Sequence, residues 1–136
     1  QVYALEQTGQ YGDCTLFKSG DYEILIEGGN QTSASQLKEA LSTYVTDHIL
    51  DLLIITHPHS DHYGGFTNGQ TSPFSGGTLS DGGITSVGKI VDSGIDSTSV
   101  SYYGSSVVRG FRNYWVNKGA EYSAISTLVE GHTYDA

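Results

Sequence analysis

Short apolar runs separated by turns mark the first part of the chain. They lie at 2–5, 14–17 and Tyr22–Ile26, and a turn rich in Gly and Asp at 18–21 separates the last two. Apolar runs of this length between turn residues are typical of strands in a meander. The sequence therefore predicts three short strands before residue 27.

A helical pattern and a buried strand follow. An apolar stripe at helical spacing is formed by Leu37, Ala40, Leu41 and Tyr44. It predicts a helix that is capped by Ser33 or Ser35 and runs to about Val45. The continuous apolar run Leu52–Thr56 then predicts a buried strand. Such a strand-helix-strand crossover presents side chains at the carboxyl end of its second strand.

The second half of the chain is less regular. Residues 66–86 begin with a stretch rich in Gly, Ser and Thr, and we expect them to form a long loop insertion beside the second strand of the crossover. Three further elements are predicted: a strand at 88–92, a helix at 105–117 and a strand at 124–129. Aromatic residues give the helix an apolar face, which predicts that Arg109 and Arg112 lie on its solvated face.

Four metal-competent side chains lie within six residues directly after the buried strand. They are His57, His59, Asp61 and His62, in the order H-x-H-x-D-H. His57 and His59 alternate, so in an extended segment both rings point to one side. Imidazoles and a carboxylate suit zinc, and also iron or manganese. This cluster predicts a metal site where a strand ends, a common place for a functional loop.

The cluster resembles the signature of the metallo-β-lactamase-fold superfamily of hydrolases. The resemblance extends to Gly12–Phe17, to Ile24–Gly29 and to Tyr63–Gly65, and it covers residues 2 to 65 well. Glu27 stands where the family usually has an Asp, and we expect it to cap the turn. The resemblance implies an α/β fold: half of an αββα sandwich, with a mixed sheet and two main helices.

The resemblance also implies that the chain, residues 1–136, is the N-terminal half of such a domain. The family's second half normally supplies another His, a bridging Asp and a final His. His132 is a later candidate and follows a Gly where the family usually enters its next strand; Asp92 and Asp96 are others, but neither has the expected sequence context. We therefore expect weak metal binding and little activity from this chain alone. A half sandwich would expose the face that its partner buries, which predicts a homodimer.

The chemistry that the resemblance implies is metal-dependent hydrolysis. One ion would be held by His57 and His59, and a second by Asp61 and His62, with further ligands missing. The metal would be zinc, one or two ions, or manganese or iron. Asp61 is the residue expected to be essential for catalysis. The family's substrates are esters, including phosphodiesters, and also amides and thioesters.

A narrower resemblance concerns the region after the motif. The order strand, aromatic helix, Lys118–Ala120, strand and Glu130-Gly131 is similar to the hydrolase domain of bacterial competence DNA-uptake channel proteins. That branch would favour a phosphodiester among the small-molecule and polymeric substrates of the superfamily.

Composition limits the classes of partner. A net charge of −9 with 6 Lys+Arg argues against strong nonspecific nucleic-acid binding. The sequence has no long apolar run that predicts a membrane segment. Cys14 is a single cysteine, so an internal disulfide is excluded and a small buried core residue is expected. Abundant Tyr, Gly and Ser/Thr with little Lys is a compositional hint of an extracytoplasmic chain.

Two classes of function other than catalysis fit the same residues. One is a binding module that keeps the fold and the metal without turnover. The other is an interaction domain in which the histidines are structural. Unchanged thermal stability with excess zinc or chelator would favour the second.

Overall fold

A computed structural model describes residues 1–5, 12–68, 75–94 and 105–125. The strands in these ranges are β1 (Val2–Ala4), β2 (Thr15–Ser19), β3 (Tyr22–Ile26), β4 (Ile49–Ile55), β5 (Ser86–Asp92) and β6 (Glu121–Ala124). The helices are α1 (Ala34–Tyr44), α2 (Ser60–Thr67), α3 (Gly77–Asp81) and α4 (Ser105–Asn117), and a 3-10 turn at Gln31–Ser33 precedes α1.

All six strands form one mixed sheet, and their order in the sheet is their order in the chain. β1, β2 and β3 pair antiparallel, which is the predicted meander. β3 to β6 pair parallel, each joined to the next through helical segments. The fold is therefore the α/β class with a mixed sheet that the sequence predicted, and it is consistent with part of a metallo-β-lactamase sandwich.

One face of the sheet carries the core. Leu16, Leu25, Leu53 and Ile90 lie side by side across β2 to β5. They pack with buried side chains of all four helices: Leu37 and Leu41, Phe66, Leu79, and Val108, Phe111 and Trp115. Successive strand residues point to opposite faces, so this row defines the helix-covered face.

The alternate positions form what we call the helix-free face: Phe17, Ile24, Ile26, Leu52, Ile54 and Val91. These residues are neighbours in two rows across the strands, and none of them belongs to the helix-packed core cluster. Leu52 is 8% exposed and the others are half-buried. The sheet thus has one apolar face packed against the helices and a second apolar face that no described helix covers.

The predicted loop at 66–86 is wrong in three places, one of which is that β5 already begins at Ser86. Phe66 and Thr67 are the last residues of α2, and α3 occupies Gly77–Asp81. Both segments are helical because they bury the few large apolar side chains of a polar stretch: Phe66 and Leu79 are fully buried in the core. Residues 69–74 lie outside the described residues.

Two other predictions need correction. The last strand begins at Glu121 and ends at Ala124, whereas it was predicted at 124–129; residues 126–129 lie outside the described part. Arg112 does not lie on a solvated face of α4: it is 8% exposed because it forms an ion pair with Asp92.

Among the described helices, none combines the length and hydropathy needed to cross a bilayer.

Candidate metal centre

The H-x-H-x-D-H cluster joins the carboxyl end of β4 to the start of α2. β4 ends at Ile55, and His59 is the residue before the first turn of α2, with extended backbone. The backbone N–H groups of His62 and Tyr63 both donate to His59 O, at 2.9 and 3.2 Å. The segment after β4, where a loop was expected, is therefore a short extended stretch followed by a helix. Asp61 lies in the first turn of that helix, where the helix dipole favours a carboxylate.

Helix α2 is held against the turn after β3 by backbone contacts. Gly28 N donates to His62 O at 2.7 Å, and Gly65 N donates to Gly29 O at 2.9 Å. A Cβ on Gly65 would lie 1.8 Å from Gly28 O, so only glycine permits this approach. The contacts fix the position of Asp61 and His62, since both belong to the same short helix.

The three imidazole rings of the motif lie together. The ring centroids of His57 and His62 are 3.9 Å apart, and those of His57 and His59 are 4.7 Å apart and nearly perpendicular. Asp61 Oδ2 lies 3.5 Å from His62 Nε2. The structure therefore brings all four side chains that the sequence singled out into one small cluster.

The cluster favours neutral imidazole at His57. Partial burial, followed by the neighbouring His62 and His59 rings, lowers the pKa of His57 below its ordinary value of 6.5. Thr56 Oγ1 lies 2.9 Å from His57 Nδ1, so that nitrogen already has a polar neighbour. A neutral ring keeps a lone pair on one nitrogen, and this is the form that ligates metals.

Part of this arrangement fits a metal ion. Two N or O ligands of one tetrahedral zinc, each about 2.1 Å from it, lie about 3.4 Å apart. The 3.5 Å between Asp61 Oδ2 and His62 Nε2 matches this spacing. However, no three His, Cys, Asp or Glu side chains among the described residues are arranged to hold one ion. The types of donor suit zinc, manganese or iron. Within the described residues, however, only the pair Asp61 and His62 has the spacing of ligands of one ion.

Of the later candidate ligands, Asp92 is described, and it is engaged elsewhere. Asp92 is 1% exposed at the end of β5, and its carboxylate is engaged by Arg112 Nη1 at 2.8 Å and by the hydroxyl of Tyr122 at 2.7 Å. Gly94 N also donates to it at 2.8 Å. Asp92 is thus a structural ion-pair partner, while Asp96 and His132 lie outside the described residues.

Glu27 is a contributor to the site whose full role the sequence did not predict. Its Oε1 accepts a hydrogen bond from Thr56 N at 2.8 Å, directly before the motif, and Oε2 lies 3.4 Å from His62 Nδ1. Glu27 was expected to cap its own turn, but its carboxylate instead bonds the end of β4 and lies beside the His62 ring. Its place after an apolar strand and before two glycines was the available signal, but the contact with His62 joins residues far apart in the chain.

Comparison with known families gives a match over the segment that carries the cluster. Residues 8–68 match the family model of the metallo-beta-lactamase superfamily. The matched segment includes β2 to α2 and all four residues of the cluster. Comparison with curated proteins gives no match. This segment is therefore similar to the superfamily in sequence, and the sheet and helices around it are consistent with part of that fold.

Proposed function

We propose that the chain carries the first half of the active site of a metal-dependent hydrolase. The observation that supports this most directly is the gathering of His57, His59, Asp61 and His62 at the carboxyl end of β4. These residues are the proposed ligands of zinc, with manganese or iron as alternatives. They lie within the segment that matches the superfamily model.

Each proposed ligand has a definable task. Asp61 and His62 are spaced as two ligands of one ion, and α2 holds them there through its glycine contacts. His57 and His59 precede the helix and would hold the other ion with one face of the extended segment. A bound ion would lower the pKa of its water to about 7, making hydroxide available at neutral pH. Asp61 is the proposed catalytic residue because it would hold the ion that it shares with His62 at the start of α2.

The proposed substrate class is a phosphodiester, either small or polymeric. This rests on the similarity of Lys118–Ala120 and Glu130-Gly131 to the competence-related hydrolase domains. The net charge of −9 does not favour a phosphate backbone, so binding would depend on the charge of the metal ions. Carboxylic esters, thioesters and β-lactams are the comparison substrates.

A second candidate function is a metal-binding or interaction module without catalysis. The observation that favours it is that no three donor side chains in the described ranges converge on one point. A site with too few ligands can bind an ion weakly without holding it for reaction. The two candidates differ in turnover and not in fold.

Metal binding is the first test. Zinc or cobalt titrated into the 136-residue chain should bind weakly, and His62→Ala and Asp61→Ala should each weaken it further. His48→Asn is the matched control, since His48 is exposed in a turn with φ 66° and Asn tolerates that conformation. Tight binding of two ions by this chain would contradict the half-site proposal, and no binding at all would remove the metal proposal.

Turnover is the second test. Phosphodiesterase, esterase and β-lactamase activity would be measured with added Zn²⁺ or Mn²⁺ for this chain and for any longer product of the same gene. We expect little turnover from the chain alone and metal-dependent turnover from a protein with both halves. Asp61→Ala should abolish that turnover, whereas Asp81→Ala, at an exposed position of α3, should not. A two-half protein inactive with every metal would favour the module.

A further inference from the structure

Glu27 has an unusual backbone for its residue type. It directly follows β3 and has φ 62°, in the left-handed region where residues other than glycine are uncommon. It is nevertheless 4% exposed, and its N–H donates to Ile54 O at 2.9 Å. Strained residues persist where the surroundings hold them, and they occur often at functional sites. The backbone turn aims the carboxylate back toward the end of β4.

The two oxygens of that carboxylate face different partners. Oε1 accepts the hydrogen bond from Thr56 N, which explains a structural role at the strand end. Oε2 and His62 Nδ1 are both buried, and neither has a hydrogen-bond partner within the described residues. They lie 3.4 Å from each other. A buried acceptor and a buried ring nitrogen that face each other satisfy one another if Nδ1 carries the proton.

We propose that Glu27 is a positioning residue that holds His62 as the Nδ1–H tautomer. The ring then presents its unprotonated Nε2, which is the nitrogen that lies 3.5 Å from Asp61 Oδ2. The importance of this for metal binding rests on the proposed function. Carboxylates that accept from the second nitrogen of a ligand histidine fix its tautomer and orientation, and their loss typically weakens metal affinity about 10- to 100-fold.

The glutamate side chain length is what permits both contacts. One carboxylate of Glu27 reaches both Thr56 N and the His62 ring. The Asp side chain is one methylene shorter, so its carboxylate would reach neither partner as well. Gln keeps the length and an oxygen acceptor for Thr56 N, but its amide nitrogen donates toward His62. Glu27→Gln should therefore favour the opposite tautomer, with the proton on Nε2.

The direct test is the tautomer of His62 in the metal-free chain. Nitrogen NMR shifts of the ring, recorded at about pH 8 and so above the ordinary histidine pKa, should show Nδ1–H in the wild-type chain. Glu27→Gln should shift the population to Nε2–H, and Glu27→Asp should give a mixture. Glu39→Gln, at an exposed position of α1, is the control for removal of one charge and should change nothing.

Two results would overturn the inference: an Nε2–H tautomer in the wild-type chain, or an unchanged tautomer in a folded Glu27→Gln chain. If Glu27→Gln does not fold, the wild-type tautomer and Glu27→Asp still decide. Cobalt titration is the second readout, and Glu27→Gln should lower affinity about 10- to 100-fold. A wild-type chain that binds no cobalt would refute the proposed function while the tautomer result stood independently.

Discussion

Arg112 on α4 and Asp92 at the end of β5 form a buried ion pair, with Arg112 Nη1 2.8 Å from Asp92 Oδ2. Tyr122 on β6 completes the group: its ring lies under the guanidinium at 4.1 Å, and its hydroxyl contacts both partners. Three elements are thereby tied at one point near the edge of the sheet. These contacts engage both oxygens of the Asp92 carboxylate. Asp92 therefore has a structural role here, whereas the sequence had offered it as one candidate metal ligand.

Removing the cation from this pair should be costly. Arg112→Met leaves a buried carboxylate without its counter-charge, and we expect a loss of about 3–5 kcal/mol in the free energy of unfolding. Asp92→Leu combined with Arg112→Met should lose less, because no charge remains buried. Urea unfolding of the wild type, the single variant and the double variant is the measurement. Equal losses in both variants would show that the ion pair itself matters little.

The glycine contacts of α2 lead to a second prediction. Gly65→Ala places a Cβ 1.8 Å from Gly28 O, so helix and turn must separate. We expect a cost of about 3 kcal/mol or more and a displaced Asp61–His62 pair. Gly20→Asn is the control, since Gly20 has φ 63° with open space around it and Asn tolerates that conformation. Thermal unfolding tests the stability, and an unaffected Gly65→Ala chain would contradict the close approach.

Cys14 provides a prediction about pH. Burial, with a smaller contribution from the Glu27 carboxylate, raises the pKa of Cys14 from 9.0 to about 12. The folded state therefore keeps the proton longer than the unfolded state, so this contribution to stability is complete below about pH 9 and falls as pH rises toward 12. The stability advantage of the wild type over Cys14→Ala should shrink between neutral pH and about pH 10.

The same shift predicts an unreactive thiol. Because burial raises its pKa to about 12, the Cys14 thiol stays protonated at neutral pH, and the thiolate is the nucleophile. Alkylation by iodoacetamide should be slow in the folded chain and rapid in denaturant. Rapid labelling under native conditions would mean that Cys14 is accessible, contrary to its 4% exposure.

The helix-free face leads to the prediction of self-association. It presents half-buried Phe17, Ile24 and Ile54 on a face that no described helix covers. We expect the 136-residue chain to form a homodimer, and Ile24→Glu to weaken it by placing a charge at the centre of the face. Sedimentation equilibrium is the measurement, with Asn113→Glu on the exposed side of α4 as the control. A wild-type chain that is monomeric at high concentration would contradict the prediction.

Elements with strong local patterns were predicted well. The strand Tyr22–Ile26 and the helix Ser105–Asn117 have the predicted bounds, because apolar periodicity and flanking turn residues define both locally. The helix at 60–67 was missed because it contains two glycines and little apolar periodicity. It forms through close backbone contact with Gly28 and Gly29, which are distant in the chain. Local patterns cannot predict a helix stabilised in that way.

The candidate site shows the same division. The grouping of His57, His59, Asp61 and His62 follows from their closeness in the chain, and the structure brings their side chains together. The contact between Glu27 and His62 depends on how β3 and α2 meet in space, so it was not predicted. The burial of Arg112 likewise depends on Asp92, a partner 20 residues away.

The six strands of the described residues lie in the sheet in the order in which they are synthesised. Each strand after β1 pairs with the strand synthesised immediately before it. The edge strand of the growing sheet is therefore always the partner of the next strand. The chain does not have to hold an early strand unpaired while a distant partner is translated, as a fold with strand insertions must. The parallel crossovers close segments of 22 to 30 residues, and the entropy lost on closure rises only slowly with segment length. We therefore expect that the sheet can assemble in chain order, with β4 and the motif after it in place before β6 pairs.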